Sequence, residues 1–272
     1  MRAGAAAAPI GSITSADRPI GVFDSGVGGL SVLRALRAEL PQEDFVYFAD
    51  SGNAPYGERD DAFVAQRSQA IAQQLREEHG IKALVVACNT ATAAAVHLLR
   101  AGHPGLPLVG VEPALKPAAA RSRTRRIAVL ATRGTLASAK FAALHASLRD
   151  EAEFLLQPCD GLAAAIEADD ATKIRALCEE YTRASGRFGS KNGQIDSLVL
   201  GCTHYPFAAN HFAELAGPEV ALIETGEPVA RQTRRLLGAA GLLRTQGVGS
   251  ITLQASAGQA ALHATATRWL GR

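Results

Sequence analysis

The sequence has no apolar run of the length a membrane-spanning helix needs, and this excludes an integral helical membrane protein. It has almost no charge imbalance. A net charge of +2 over 272 residues gives no reason to expect a nucleic-acid partner. The cluster Arg121-Ser-Arg-Thr-Arg-Arg126 precedes a strand pattern and reads as a solvated surface run. The four cysteines, Cys88, Cys159, Cys178 and Cys202, form no C-x-x-C pair, and no His-x-x-x-His spacing occurs, so no zinc site is expected. Structural disulfides suit small secreted domains, not a chain of this size. The glycines Gly26, Gly28 and Gly29 do not complete G-x-G-x-x-G, because Ser31 stands where the last glycine is needed. No dinucleotide cofactor is therefore expected. The alanine run near the N-terminus is too short for the apolar core of a signal peptide. Residues 1–17 read as a mobile tail on a cytoplasmic protein.

What is present is ample apolar content, 47% hydrophobic against 20% charged, enough for full cores. One stretch organises the rest. Ala83-Leu-Val-Val-Ala-Cys88 is a short apolar strand pattern that stops abruptly at Cys88-Asn89-Thr90, and an alanine-rich helix pattern follows. Cys88 then lies between a strand's C-terminal end and a helix N-terminus. Open α/β sheets bind ligands at that position, and helix-end N–H groups there favour anions.

The same design recurs. Ser197-Leu-Val-Leu-Gly-Cys202-Thr203-His204 is a second strand ending on a cysteine. Ile20-Gly-Val-Phe-Asp24-Ser25 corresponds to Ile127-Ala-Val-Leu-Ala131-Thr132, Asp44–Asp50 to Glu153–Cys159, and Glu112-Pro113 to Glu227-Pro228. The spacing between partners grows slowly along the chain, as a duplicated half with small insertions would give. The expected architecture is two pseudo-symmetric open α/β domains with largely parallel sheets. Residues 18–111 plus 222–272 form the first domain and residues 112–221 the second, with the active site in the cleft between them. Cys178, on the helical pattern 172–184, reads as a small buried apolar residue.

Two cysteines on related half-sites suggest chemistry on two faces of one carbon. Racemisation or epimerisation needs one deprotonated and one protonated acid/base group, and a thiolate and a thiol serve. A free cysteine with a pKa of about 8.5 costs roughly 2 kcal/mol to ionise at pH 7, which helix N-termini and neighbouring bases can partly offset. Asp24 ends a strand in the half of Cys88. Its counterpart is Ala131, so Cys202 needs a different helper, and His204 and Glu167 are the candidates. Read alone, His204 is equally a hydrogen-bonded core histidine, and Glu167 is ordinary helix surface. Ser25, Asn89, Thr90, Thr132, Thr135 and Thr203 all fall at strand–helix junctions. They are either helix caps or donors for a small carboxylate substrate.

The segments FDSGVGGL (23–30), PYG (55–57), ACNTATA (87–93), GVEP (110–113), VLATRGTLAS (129–138), CDGLAAAIE (159–167) and LGCTHYP (200–206) together resemble the cofactor-independent aspartate/glutamate racemase family. The resemblance implies interconversion of L- and D-glutamate without cofactor or metal, supplying D-glutamate for peptidoglycan. It implies that Cys88 acts on the D-enantiomer with help from Asp24. Cys202 would act on the L-enantiomer with help from Glu167 and His204. Asp24, Ser25, Tyr56, Gly57, Asn89, Thr90, Thr203 and His204 would hold the substrate, with Thr132 and Thr135 as weaker carry-overs. A homodimer follows by family analogy alone. The sequence departs from the family pattern at Glu224, where Asp is usual, at Phe141, where Tyr is usual, and in the glycine/serine loop 185–193. The rival readings are a racemase for aspartate or another small acid, a redox or ligand-binding protein switched by a Cys88–Cys202 disulfide, a metal enzyme, and a nucleotide-binding module resting on the glycine loop.

Overall fold

The structure is a computed structural model and describes residues 15–271. Residues 1–14 of the expected tail lie outside the described residues. Ser15–Asp17 form a short 3-10 turn.

The chain alternates strand and helix. The first half runs β1 (Ile20–Asp24), α1 (Leu30–Glu39), β2 (Phe45–Ala49), α2 (Asp61–His79), β3 (Ala83–Val86), α3 (Asn89–Gly102) and β4 (Leu108–Gly110). The second half runs α4 (Leu115–Arg121), β5 (Arg126–Ala131), α5 (Arg133–Ala137), α6 (Ala139–Ala146), β6 (Glu153–Pro158), α7 (Leu162–Glu167), α8 (Ala171–Ser185) and β7 (Ser197–Leu200). The last elements are α9 (Ala209–Ala216), β8 (Ala221–Ile223), α10 (Gly226–Ala239), β9 (Ile251–Ala255) and α11 (Gln259–Leu270).

The strands form two sheets, ordered β4-β3-β1-β2-β9 and β6-β5-β7-β8, with every pairing parallel. Written from the other edge, the second sheet reads β8-β7-β5-β6. That is the order β4-β3-β1-β2 of the first, so the internal correspondence seen in the sequence is a correspondence of strand positions. β9 adds a fifth strand to the first sheet. β8 pairs with β7, and the chain returns to the first sheet through α10, which packs against α1.

The local reasons are ordinary. Strands β1, β2, β3 and β7 are buried at every position, as mainly apolar strands covered on both faces must be. Helix α2 starts where Asp60 accepts the Phe63 N–H at 2.7 Å and stops at Gly80, whose φ of 58° suits a residue without a Cβ. Cys178 is fully buried in α8. The arginine run is more than a solvated surface. Arg125 donates to the Asp150 and Glu151 carbonyls, and Arg126 pairs with Glu153 at 2.7 Å.

The C-terminal helix also reaches across to the second sheet's layer. Trp269 packs against Phe207 in a tilted pair with ring centroids 4.2 Å apart, and Arg268 pairs with Asp169 at 2.8 Å.

Candidate active site

Strands β1 and β3 run parallel in one sheet and β5 and β7 in the other, and all four end at one cleft lined by residues of both halves. Cys88 follows β3 and Cys202 follows β7, and both line it. So do Ser25, Tyr56, Gly57, Asn89, Thr90, Thr132, Thr135, Glu167, Thr203 and His204. Residues predicted from widely separated segments thus converge on one place. Asp24 is the exception. It is fully buried beneath the cleft and is absent from its lining. Its carboxylate accepts the Gly29 N–H at 2.6 Å and the Thr203 hydroxyl at 3.4 Å.

Cys88 caps α3. Its sulfur accepts the Ala91 N–H at 3.4 Å, and its thiol donates to Ser25 Oγ at 3.8 Å. The helix terminus does favour the thiolate, as expected, but burial outweighs it. Together with the charge of Asp24, burial pushes the Cys88 thiol well above its ordinary value. Burial likewise raises the Asp24 carboxyl, against the opposing charge of His204. Thiol and acid are therefore both biased toward their protonated forms in the free enzyme.

The Cys202 side is built differently. His204 Nδ1 lies 3.7 Å from Cys202 Sγ, and His204 Nε2 lies 2.6 Å from Glu167 Oε1. Burial opposes ionisation of both partners. For His204 it is outweighed by Cys202 and Glu167, which hold the imidazole well above its usual range. For Glu167 it is outweighed by His204 and the Val27 N–H, which hold the carboxylate below its usual range. Both shifts favour an imidazolium–carboxylate pair, with Glu167 supplied by the end of α7 and His204 by the loop after Cys202.

N–H groups of the glycine loop after β1 are taken by the protein's own carboxylates, that of Gly29 by Asp24 and that of Val27 by Glu167. Val27 N donates to Glu167 Oε1 at 2.7 Å. A Cβ on Gly26 would lie 1.8 Å from Glu167 Oε1, and one on Gly28 would lie 2.4 Å from His204 Nδ1. These positions exclude side chains because the Glu167–His204 pair presses against the loop.

The junction hydroxyls divide between capping and waiting. Thr132 caps α5, accepting the Thr135 N–H at 3.2 Å, and donates to Thr135 Oγ1 at 2.9 Å. Asn89 has both amide atoms buried with no hydrogen-bond partner in the protein, the pattern of a group reserved for a ligand. Tyr56 donates its hydroxyl to Asp50 at 2.6 Å, and Arg67 grips the same carboxylate, so the ring and the adjoining Gly57 face the cleft in a fixed pose.

Sequence reasoning missed Cys159, Arg133 and Asp160, which also line the cleft. Arg133 pairs with Asp160 at 2.5 Å. Their signal was position, since all three follow strand ends in the second half, where β5 and β6 meet the cleft. All four cysteines are free and buried. Among the described residues no group of three or more His, Cys, Asp or Glu side chains is placed to hold a metal ion. No helix among them is long and apolar enough to cross a membrane.

The cleft thus holds one thiol from each of two matched halves, with Asp24 beneath it on the Cys88 side and the Glu167–His204 pair beside Cys202. The chain belongs to the Asp/Glu/Hydantoin racemase family, which it matches over residues 20–233. It is 51% identical over 227 residues to a glutamate racemase of Pseudomonas entomophila, covering 83% of each chain. Its fold superposes on a glutamate racemase isoform of Bacillus anthracis with a TM-score of 0.83 at 28% identity, covering 94% of each chain. It superposes on the Escherichia coli glutamate racemase, solved with L-glutamate and the activator UDP-MurNAc-Ala, with a TM-score of 0.79 at 30% identity, covering 93% of this chain and 95% of that one.

Proposed function

We propose that this protein interconverts L- and D-glutamate by two-base proton transfer between Cys88 and Cys202, supplying D-glutamate for peptidoglycan in the cytoplasm. The observation that carries this reading is the placement of the two thiols on one cleft, one from each half. The relatives named above, all glutamate racemases, support the choice of amino acid.

In the forward direction Cys202, as thiolate, takes the α-proton of L-glutamate, and Cys88, as thiol, returns a proton to the opposite face. The reverse reaction exchanges the roles. Each turnover leaves the enzyme with its proton on the other cysteine. The raised pKa of Cys88 keeps it in the thiol form from which the forward direction starts. Asp24 stands behind Cys88, and the Glu167–His204 pair stands beside Cys202. The unpaired amide of Asn89 and the hydroxyls of Ser25, Thr90 and Thr203 serve the substrate's carboxylates. Tyr56 and Gly57 close the cleft wall.

Initial racemisation rates with L-glutamate and L-aspartate, measured side by side by circular dichroism, test the substrate. A clear preference for glutamate is expected. Equal or greater turnover of aspartate would overturn the choice of amino acid.

A further inference from the structure

One peptide unit joins the two halves. The carbonyl of Gly26 accepts a hydrogen bond from the Tyr47 hydroxyl at 2.6 Å. The N–H of Val27, the other end of the same amide, donates to Glu167 Oε1 at 2.7 Å. Glu167 Oε1 binds His204 Nε2, and His204 Nδ1 faces Cys202. The amide is conjugated, so a donor at its oxygen makes its N–H a stronger donor. A chain of polarised groups therefore runs from Tyr47 on β2 to the thiol at the end of β7. Tyr47 is fully buried and does not line the cleft. It touches neither cysteine through a hydrogen bond.

We propose that Tyr47 is a positioning residue for the Cys202 arm, acting through the Gly26–Val27 peptide to fix Glu167 and hence the His204 imidazole. This rests on the reading that Cys88 and Cys202 carry the two protons. A phenylalanine would fill the same space, so the role resides in the hydroxyl alone. Burial, with the charges of Asp24 and Glu167, pushes the Tyr47 phenol well above its ordinary range, so the hydroxyl remains a donor at any working pH. The titratable groups facing Glu167 are His204, Asp24 and Tyr47.

The experiment is Tyr47→Phe in the full chain, its fold checked by circular dichroism and melting. We expect kcat to fall about fivefold, the rate equivalent of one neutral hydrogen bond, with KM nearly unchanged. The acid limb of the pH profile should move upward, because Glu167 loses polarisation of its donor. The primary isotope effect should grow for α-deuterated glutamate of the enantiomer deprotonated by Cys202, and not for the other. An unchanged kcat overturns the proposal, as does a loss that leaves the pH profile and both isotope effects where they were.

Where the variant does not fold, 3-fluorotyrosine at position 47 keeps the ring and strengthens the donor. The acid limb should then move downward, and an unmoved limb overturns the proposal. Carboxyl NMR titration of Glu167, parent against variant, separates this inference from the reading of function. An upward shift in Tyr47→Phe supports the positioning role even in a parent inactive toward glutamate, and no shift overturns it.

Discussion

Cys88 and Cys202 occupy the same station in two sheets of matching strand order. Each follows the strand that pairs in parallel with the first strand of its half, β3 with β1 and β7 with β5. The duplicated frame fixes the two thiols, and the companions break the symmetry, with Asp24 behind one and the Glu167–His204 pair beside the other.

The division of labour between the thiols is testable one face at a time. Cys88→Ala and Cys202→Ala should each lower racemisation by roughly a thousandfold or more, as loss of an essential acid/base group does. Each variant should still exchange the α-proton of one enantiomer with heavy water. Cys88→Ala should exchange that of L-glutamate and Cys202→Ala that of D-glutamate, as followed by proton NMR. Substantial racemisation by either variant would remove that cysteine from the mechanism.

The dyad has a pH signature in stability. His204 is held above its ordinary value of 6.5, so its stabilising contribution is complete below that pH and is lost as pH rises through the folded-state value. Glu167 is held below 4.5, so its contribution is present above that pH and is lost as pH falls through the depressed value. The melting temperature of the parent should carry an alkaline decline above pH 6.5 that is reduced in His204→Gln. Parallel melting profiles for parent and variant would contradict the ion pair.

Asn89 sets function against stability. Its buried amide has no partner in the protein, so Asn89→Ala should leave stability unchanged or raise it by about 1 kcal/mol. KM for glutamate should rise by about tenfold, the effect of one lost hydrogen bond to a charged ligand group. A marked loss in denaturant stability with unchanged KM would make Asn89 structural.

Lys82 and Glu43 form an ion pair at 2.5 Å, their side chains 1% and 2% exposed, and neither lines the cleft. Removing one partner strands a buried charge. Lys82→Met should cost about 3–5 kcal/mol in urea unfolding, and the double variant Lys82→Met/Glu43→Gln should recover much of it. Additive losses in the double variant would contradict the coupling.

Much of this was legible in the sequence because the signals were local. An apolar run ending on Cys88-Asn89-Thr90 specifies a strand, a junction and a helix, and its recurrence at Cys202 specifies the second half. The replacement of Asp24 by Ala131 pointed to His204 and Glu167 as candidate helpers, and the two side chains lie 2.6 Å apart. What was not legible depended on long-range packing. Nothing near Gly26 shows that the carboxylate above it will be Glu167, or that Tyr47 will hold the peptide from below. Nothing near Asp24 shows that it lies under the cleft floor and not in its wall. Cys159 and Arg133 reach the cleft only because β5 and β6 end beside it.

The most direct test of two-base racemisation is incubation of the purified protein with L-glutamate in heavy water, with a chelator and no added cofactor. Optical rotation and α-deuterium are followed together. The account predicts D-glutamate carrying deuterium at the α-carbon. Folded protein with reduced thiols that yields neither D-product nor exchange would contradict it, and a reversible Cys88–Cys202 disulfide in that same sample would favour a redox role for the two thiols.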